Sequence, residues 1–140
     1  MRTKAELIQS WLSKAQKDLL AAEHELSFQD AVTESICFHC QQAVEKFLKA
    51  YLLFLDISFS KTHEIGELAI KCEVKDPEIS ALKDEADTLT DYAIEVRYPD
   101  TLFEPKLEEA KEAFEIAKKV RDFIVRKIKI GSELDPAECK

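Results

Sequence analysis

The sequence predicts an all-α protein, and three observations support that prediction. Only 2 of the 140 residues are Gly and 4 are Pro, too few for the turns of a β-sandwich, a dinucleotide fold or a P-loop. Charged residues make up 34% and hydrophobic residues 46% of the chain, a mixture typical of helices. Apolar side chains recur every three or four positions, which is the helical period. We expect an antiparallel four-helix up-and-down bundle with one short extra helix.

The first predicted helix covers residues 4–26, where the apolar side chains form one stripe. The second begins after Asp30, its candidate N-cap, and extends to about Ile57. Its apolar face is wider than a surface helix needs, so we expect this helix at the centre of the bundle. The opposite, polar face holds Glu34, Gln41, Gln42, Glu45, Lys46 and Lys49. Such a stripe is typical of a face directed at solvent, at a partner or at a ligand groove.

Two further helices are predicted in the middle of the chain. A short one covers residues 64–72, with Thr62 as its candidate N-cap. The pair Asp76-Pro77 is a strong start signal for the next helix, because Asp caps and Pro fits the first helical position. Pro99 should end that helix, since the residue before a proline is disfavoured in the α region.

The last helix should open at Pro105 and stop at Gly131, a residue type that favours helix C-termini. The remaining residues are polar and include a proline. We therefore expect a single helical domain over residues 1–131 and a flexible polar tail over residues 132–140.

The formal net charge is −8, which argues against non-specific nucleic-acid binding by the molecule as a whole. Residues 118–130 nevertheless contain six basic residues and one acidic residue. Cations favour the last turns of a helix, and a phosphate or partner patch is the alternative. The first ten residues do not resemble a secretory leader, and the longest apolar run covers only residues 50–55. We expect a cytoplasmic protein that does not enter a membrane.

A cysteine pair at i,i+3, Cys37 and Cys40, raises the question of a metal site together with His39, His63 and Cys72. Helical geometry argues against it, because both thiols point into the apolar face while His39 lies on the other side. Zinc-binding pairs of this spacing usually sit on tight turns. We predict no metal and no cofactor.

The segment Arg97-Tyr98-Pro99-Asp100 interrupts the helical pattern and brings three polar side chains to one helix end. An arginine beside an aromatic ring can bind a phosphate or a base. The alternative is an ion pair of Arg97 with an acidic residue and packing of Tyr98 on the rim of the bundle.

Four stretches of the chain form a recognisable series. They are Trp11 with Ala15, Asp18, Leu19 and Ala22; residues 37–50; residues 62–65 with Leu68; and Tyr92 with Arg97, Tyr98, Pro99 and Asp100. Together they resemble the HEPN (higher eukaryotes and prokaryotes nucleotide-binding) domain family. Their order and spacing match the family from about residue 7 to residue 130. The resemblance implies an antiparallel helical bundle that is usually dimeric.

The resemblance also implies a choice between functions. Many HEPN proteins are metal-independent ribonucleases, often toxins, whose motif is an Arg and a His separated by four to six residues. Arg97 matches the arginine, but the His positions hold Leu102, Phe103 and Glu104. Other members are partners of a separate minimal nucleotidyltransferase, in toxin–antitoxin-type pairs, or bind a nucleotide or RNA without catalysis. We therefore expect a non-catalytic homodimer of this second kind. A divergent ribonuclease using Arg97 and His63, and a purely structural adaptor, are the alternatives.

The expected ligand or partner groove combines positions of the matched stretches. We expect Arg97 and Lys49 to contact phosphate, Tyr98 to stack, and Asp100 or Glu45 to orient them. The complete set also includes Gln42, Lys46 and His63.

Overall fold

The computed structural model describes residues 2–93 and 104–134. Within these residues the chain forms five α-helices and no strand, so the all-α prediction is confirmed. The helices are α1 (Lys4–Leu26), α2 (Thr33–Phe54), α3 (Ile65–Glu73), α4 (Ser80–Asp87) and α5 (Leu107–Leu134). Two 3-10 turns, Pro77–Ile79 and Thr90–Ala93, flank α4.

Contacts between the helices give the topology. Helices α1 and α2 are antiparallel, because Asp18 pairs with Lys46 and Lys4 pairs with Asp56 beyond the end of α2. Helix α5 runs parallel to α2. The Tyr51 ring contacts the Phe123 ring, and Gly131 lies against Phe54 further along both helices.

Helix α4 is the third of the four helices that form the bundle. Its neighbour α5 runs in the opposite direction, because Lys119 pairs with Glu85 while Lys127 pairs with Glu78. Helices α1, α2, α4 and α5 therefore alternate in direction, and α3 is the short extra helix. This is the up-and-down bundle that the sequence predicts.

Helix α1 has the predicted bounds. Thr3 caps it, since its hydroxyl accepts the Glu6 N–H at 3.1 Å and the Glu6 carboxylate accepts the Thr3 N–H at 3.3 Å. This reciprocal pair satisfies two backbone donors that a helix start otherwise leaves unpaired.

Helix α2 begins two residues later than predicted and ends three residues earlier. Its N-cap is Val32, not Asp30, and the Val32 N–H donates to Glu25 Oε2 at 2.9 Å. The end of α1 thus fixes the start of α2, through a side chain that no local pattern identifies. After Phe54 the chain turns at Asp56, whose φ of 59° is left-handed and stops the helix.

Helix α2 lies at the centre, as predicted. It buries one broad apolar face that includes Phe47, Leu48 and Leu52. The thiols of Cys37, Cys40 and Cys72 are fully buried and free. Burial raises the pKa of Cys37 and of Cys72 to about 12, so these thiols stay protonated and behave as small apolar groups.

The helix predicted from Pro77 to Pro99 is interrupted, which corrects the sequence analysis. Asp76 and Pro77 do start a helical turn, and Asp76 Oδ1 accepts the Glu78 N–H at 3.2 Å. However, α4 ends at Asp87. The side chains of Asp87, at its end, and of Thr90, just beyond it, turn towards the start of α3.

Helix α3 is capped by these side chains. Gly66 N–H donates to Asp87 Oδ1 at 2.8 Å, and Ile65 N–H donates to Thr90 Oγ1 at 3.1 Å. The predicted N-cap Thr62 instead accepts the Glu64 N–H at 3.0 Å, just before the helix. The cap of α3 therefore comes from the far end of α4.

Helix α5 starts two residues after Pro105 and continues through Gly131, so the predicted stop at Gly131 is wrong. A Cβ at this position would lie 2.3 Å from Phe54 Cζ. Gly131 therefore serves close packing against α2 rather than helix termination. Residues 135–140 of the expected tail lie outside the described residues.

Across residues 2–93 and 104–134, every helix is too short or too polar to span a bilayer.

Candidate functional site

A buried carboxylate, Glu45, organises the polar side chains of α2. Glu45 is 4% exposed. Its Oε1 accepts from His63 Nδ1 at 2.7 Å and from Gln41 Nε2 at 3.1 Å. Its Oε2 accepts from Lys49 Nζ at 3.0 Å. Glu45 and Lys49 therefore form an i,i+4 ion pair within α2.

The environment of Glu45 keeps it ionised. Burial by itself raises the pKa of a carboxyl group, but the hydrogen bonds from His63, Lys49 and Gln41 outweigh it and lower the pKa of Glu45 below 4.5. A carboxylate without a proton can only accept hydrogen bonds. All three neighbours must therefore be donors.

The second charge of the cluster, Lys49, is enclosed by aromatic rings. Its Nζ lies 5.4 Å from the Trp11 ring centroid and 6.0 Å from that of Phe59. The two rings meet edge to face with centroids 6.4 Å apart. Because Lys49 is 7% exposed, it neutralises Glu45 from inside the fold and does not present its charge to solvent.

His63 is the most exposed member of the cluster. Its side chain is 54% exposed, although its Nδ1 is bonded to Glu45. Gln41 Nε2 also donates to the His63 carbonyl oxygen at 3.3 Å. Gln41 therefore binds the backbone of His63, while Glu45 binds its imidazole ring. Gln42 Nε2 in turn donates to Gln41 Oε1 at 2.7 Å. The surface above the cluster therefore carries His63 and the half-buried Gln42.

The structure brings together four of the predicted site residues, which are Gln42, Glu45, Lys49 and His63. Lys46 points elsewhere and pairs with Asp18, as does His39 Nδ1 at 2.9 Å. Arg97, Tyr98 and Asp100 lie outside the described residues.

The expectation that the polar stripe of α2 faces solvent or a groove needs correction. Gln41, Glu45 and Lys49 are buried, because the segment from Phe59 to His63 covers them. Only part of the stripe reaches the surface.

Sequence reasoning missed two members of the cluster. The sequence predicts Gln41 on the polar stripe without a role, although Gln41, Glu45 and Lys49 are spaced four residues apart on one helix face. That spacing was a usable signal. The sequence gives no such signal for Phe59, because this residue lies in the connection between α2 and α3. No local sequence pattern predicts how that connection crosses α2.

Across the part of the chain that the structure describes, no group of three or more His, Cys, Asp or Glu side chains is arranged to hold a metal ion. The cluster is thus built from one carboxylate and three nitrogen donors.

The protein is thus a helical bundle whose second helix carries a largely buried polar cluster. The family model of the HEPN domain matches residues 8–128. The chain belongs to the HEPN domain family. A search of curated proteins finds no match.

Two solved structures are similar to this chain. One is TT1696 from Thermus thermophilus, with 30% sequence identity, a TM-score of 0.71, and coverage of 86% of this chain and 97% of that chain. The other is ST0689, described as an archaeal HEPN homologue, with 25% identity, a TM-score of 0.68 and the same coverage of 86% and 97%.

Proposed function

We propose that this protein is a non-catalytic HEPN module that binds a nucleotide and acts as a homodimer beside a separate minimal nucleotidyltransferase. The observation that carries the proposal is the Glu45 cluster. It holds the half-exposed His63 in a fixed orientation at the surface, in a family whose members often bind nucleotides or act on RNA. The His expected at positions 102–104 is absent, which favours binding over cleavage.

The buried part of the cluster supports a binding role. Each polar side chain beneath His63 has its partner within the chain, so the cluster is preorganised and needs little ordering when a ligand arrives. Lys49 contributes by balancing the charge of Glu45. We propose that phosphate is contacted by Arg97, with Tyr98 stacking on the base and Asp100 orienting the arginine.

The partner and the compartment are parts of the same proposal. HEPN domains commonly dimerise, and some work with a nucleotidyltransferase in toxin–antitoxin-type pairs. Three buried free thiols are compatible with a reducing cytoplasm. A small nucleotidyltransferase encoded next to this chain would support the pairing.

Isothermal titration calorimetry with AMP, ATP and UMP tests the proposal. We expect a saturable signal with the purified protein, and a loss of at least about tenfold in affinity for Arg97→Ala, the size expected when a charge-assisted contact to phosphate is removed. His24→Ala is the matched control, because His24 lies at the end of α1 and takes no part in the cluster. No heat at millimolar ligand, together with no co-purifying protein, contradicts the proposal and leaves the structural adaptor.

The ribonuclease remains a second candidate because of one contact. A histidine whose Nδ1 is held by a carboxylate is the arrangement that orients a general acid or base. RNA cleavage in the presence of a chelator that is abolished by both His63→Ala and Arg97→Ala would replace the non-catalytic assignment. Cleavage that survives Arg97→Ala would contradict this assignment of residues.

A further inference from the structure

The tautomer of His63 is determined by its neighbours. Glu45 is ionised and accepts from His63 Nδ1 at 2.7 Å. Since the carboxylate has no hydrogen to give, the hydrogen of this contact belongs to Nδ1. In the neutral imidazole the other nitrogen, Nε2, then carries a lone pair and is an acceptor.

Among the described residues no hydrogen bond or ion pair involves His63 Nε2, while the side chain is 54% exposed. Lys49 already balances the charge of Glu45 at 3.0 Å. A neutral acceptor nitrogen at a surface binds a hydroxyl or N–H group and repels the lone pairs of a phosphate oxygen.

We infer that His63 is a specificity-determining residue whose Nε2 accepts a hydrogen bond from a ribose hydroxyl, so that the protein prefers ribonucleotides to deoxyribonucleotides. This inference rests on the proposed nucleotide-binding function. Gln41 and Glu45 are positioning residues, because they fix the backbone and the ring of His63 without themselves reaching the surface.

His39 offers a matched comparison with His63, because its Nδ1 also contacts a carboxylate. His39 Nδ1 lies 2.9 Å from Asp18 Oδ1, and its side chain is 31% exposed. The arrangement is therefore the same in kind. However, residues 39 and 45 lie on different sides of α2, so His39 stands outside the cluster that holds His63.

The first test measures the tautomer directly. Long-range ¹H–¹⁵N correlation spectra of the full chain at pH 8 should show His63 with its hydrogen on Nδ1. A spectrum that places the hydrogen on Nε2 overturns the inference, whatever the protein binds.

The second test compares ligands by calorimetry at pH 8, with AMP, 2′-deoxy-AMP and 3′-deoxy-AMP as probes. We expect at least one deoxy ligand to bind about threefold to tenfold more weakly than AMP, the effect of one neutral hydrogen bond. His63→Ala should abolish this difference, and His39→Ala should preserve it. The deoxy ligand that loses affinity identifies the hydroxyl.

The outcomes separate the two levels of the proposal. Equal binding of all three probes by the wild-type protein overturns the role of His63 but not nucleotide binding. Equal weakening of all three probes in His63→Ala also overturns it, because the lost contact would then be shared by every ligand. Absence of binding by every probe contradicts the proposed function and this inference with it.

Discussion

At the scale of single residues, the charge of Glu45 holds the polar cluster together, because Gln41, Lys49 and His63 all donate to its carboxylate. The carboxylate is 4% exposed and satisfies Lys49, which is 7% exposed. Removing one member of a buried ion pair leaves the other charge without compensation in a poorly solvated position, and that is far more costly than losing a surface pair.

Glu45→Gln should therefore lower the free energy of unfolding by about 2–4 kcal/mol at pH 7, measured by urea denaturation. Glu85→Gln is the control, since it removes only the surface pair with Lys119 and should change stability by less than about 0.5 kcal/mol. Equal effects of the two substitutions would contradict the account of the buried pair.

The same group gives a pH dependence with a definite sign. The pKa of Glu45 is lowered in the folded protein relative to 4.5, so the native state favours the ionised form. Its contribution to stability is fully present above the unfolded pKa, and is lost as pH falls from about 4.5 through the folded pKa. Urea denaturation between pH 3 and pH 6 should show a steeper loss for the wild type than for Glu45→Gln. Parallel profiles would rule out this contribution.

At the scale of elements, the sequence predicts a helix well where its signals are local. Helix α1 has its predicted bounds because its apolar stripe is continuous. The N-cap of α2 differs from the predicted Asp30, because Glu25, seven residues before Val32, accepts the Val32 N–H at the true N-cap. The helix predicted after Pro77 instead ends at Asp87, and the side chains of Asp87 and Thr90 cap α3.

The candidate site divides in the same way. The pair Glu45 and Lys49 is a local helical contact and follows from spacing alone. The approach of Phe59 and His63 to that pair depends on how the connection after α2 crosses the helix. Such a path is decided by packing of distant residues, which a single sequence does not display.

The cap of α3 can be tested through the glycine that it surrounds. A Cβ at Gly66 would lie 2.7 Å from Asp87 Oδ1, the oxygen that accepts the Gly66 N–H. Gly66→Ala should displace this side chain and lower the free energy of unfolding by about 1–2 kcal/mol, which is the value of a lost cap.

A double-mutant cycle provides the control. In the background of Asp87→Ala the carboxylate is gone, so the same Gly66→Ala change should become neutral or stabilising by up to about 1 kcal/mol, because alanine is the better helix former. Thermal or urea unfolding measures all four proteins. Additive effects of the two substitutions would show that the Gly66–Asp87 contact is not the cause.

At the scale of the whole molecule, the central helix carries two of three thiols that report on global opening. Cys37, Cys40 and Cys72 are fully buried, and burial raises the pKa of each thiol. Alkylation requires both access and the thiolate form. These residues should react only when the bundle opens.

Labelling with iodoacetamide at pH 8 checks this in the Cys139→Ser variant, which removes the one cysteine outside the described residues. We expect negligible labelling of the native protein and three labels per chain in urea. Adding Glu45→Gln should speed native labelling, because it raises the population of the open state. Rapid stoichiometric labelling of the native wild-type core would contradict the buried packing of α2.

The course of the chain has a topological consequence of its own. Lys4 pairs with Asp56, just past the end of α2, and Gly131 lies against Phe54 at the same end. The polypeptide thus enters and leaves the bundle at one pole, and the α1–α2 connection at the opposite pole has exposed Phe28 and Val32. A short linker could join the two ends, and new termini could be opened between α1 and α2, without rerouting any helix. The packing of the helices is therefore compatible with chain termini at either pole of the bundle.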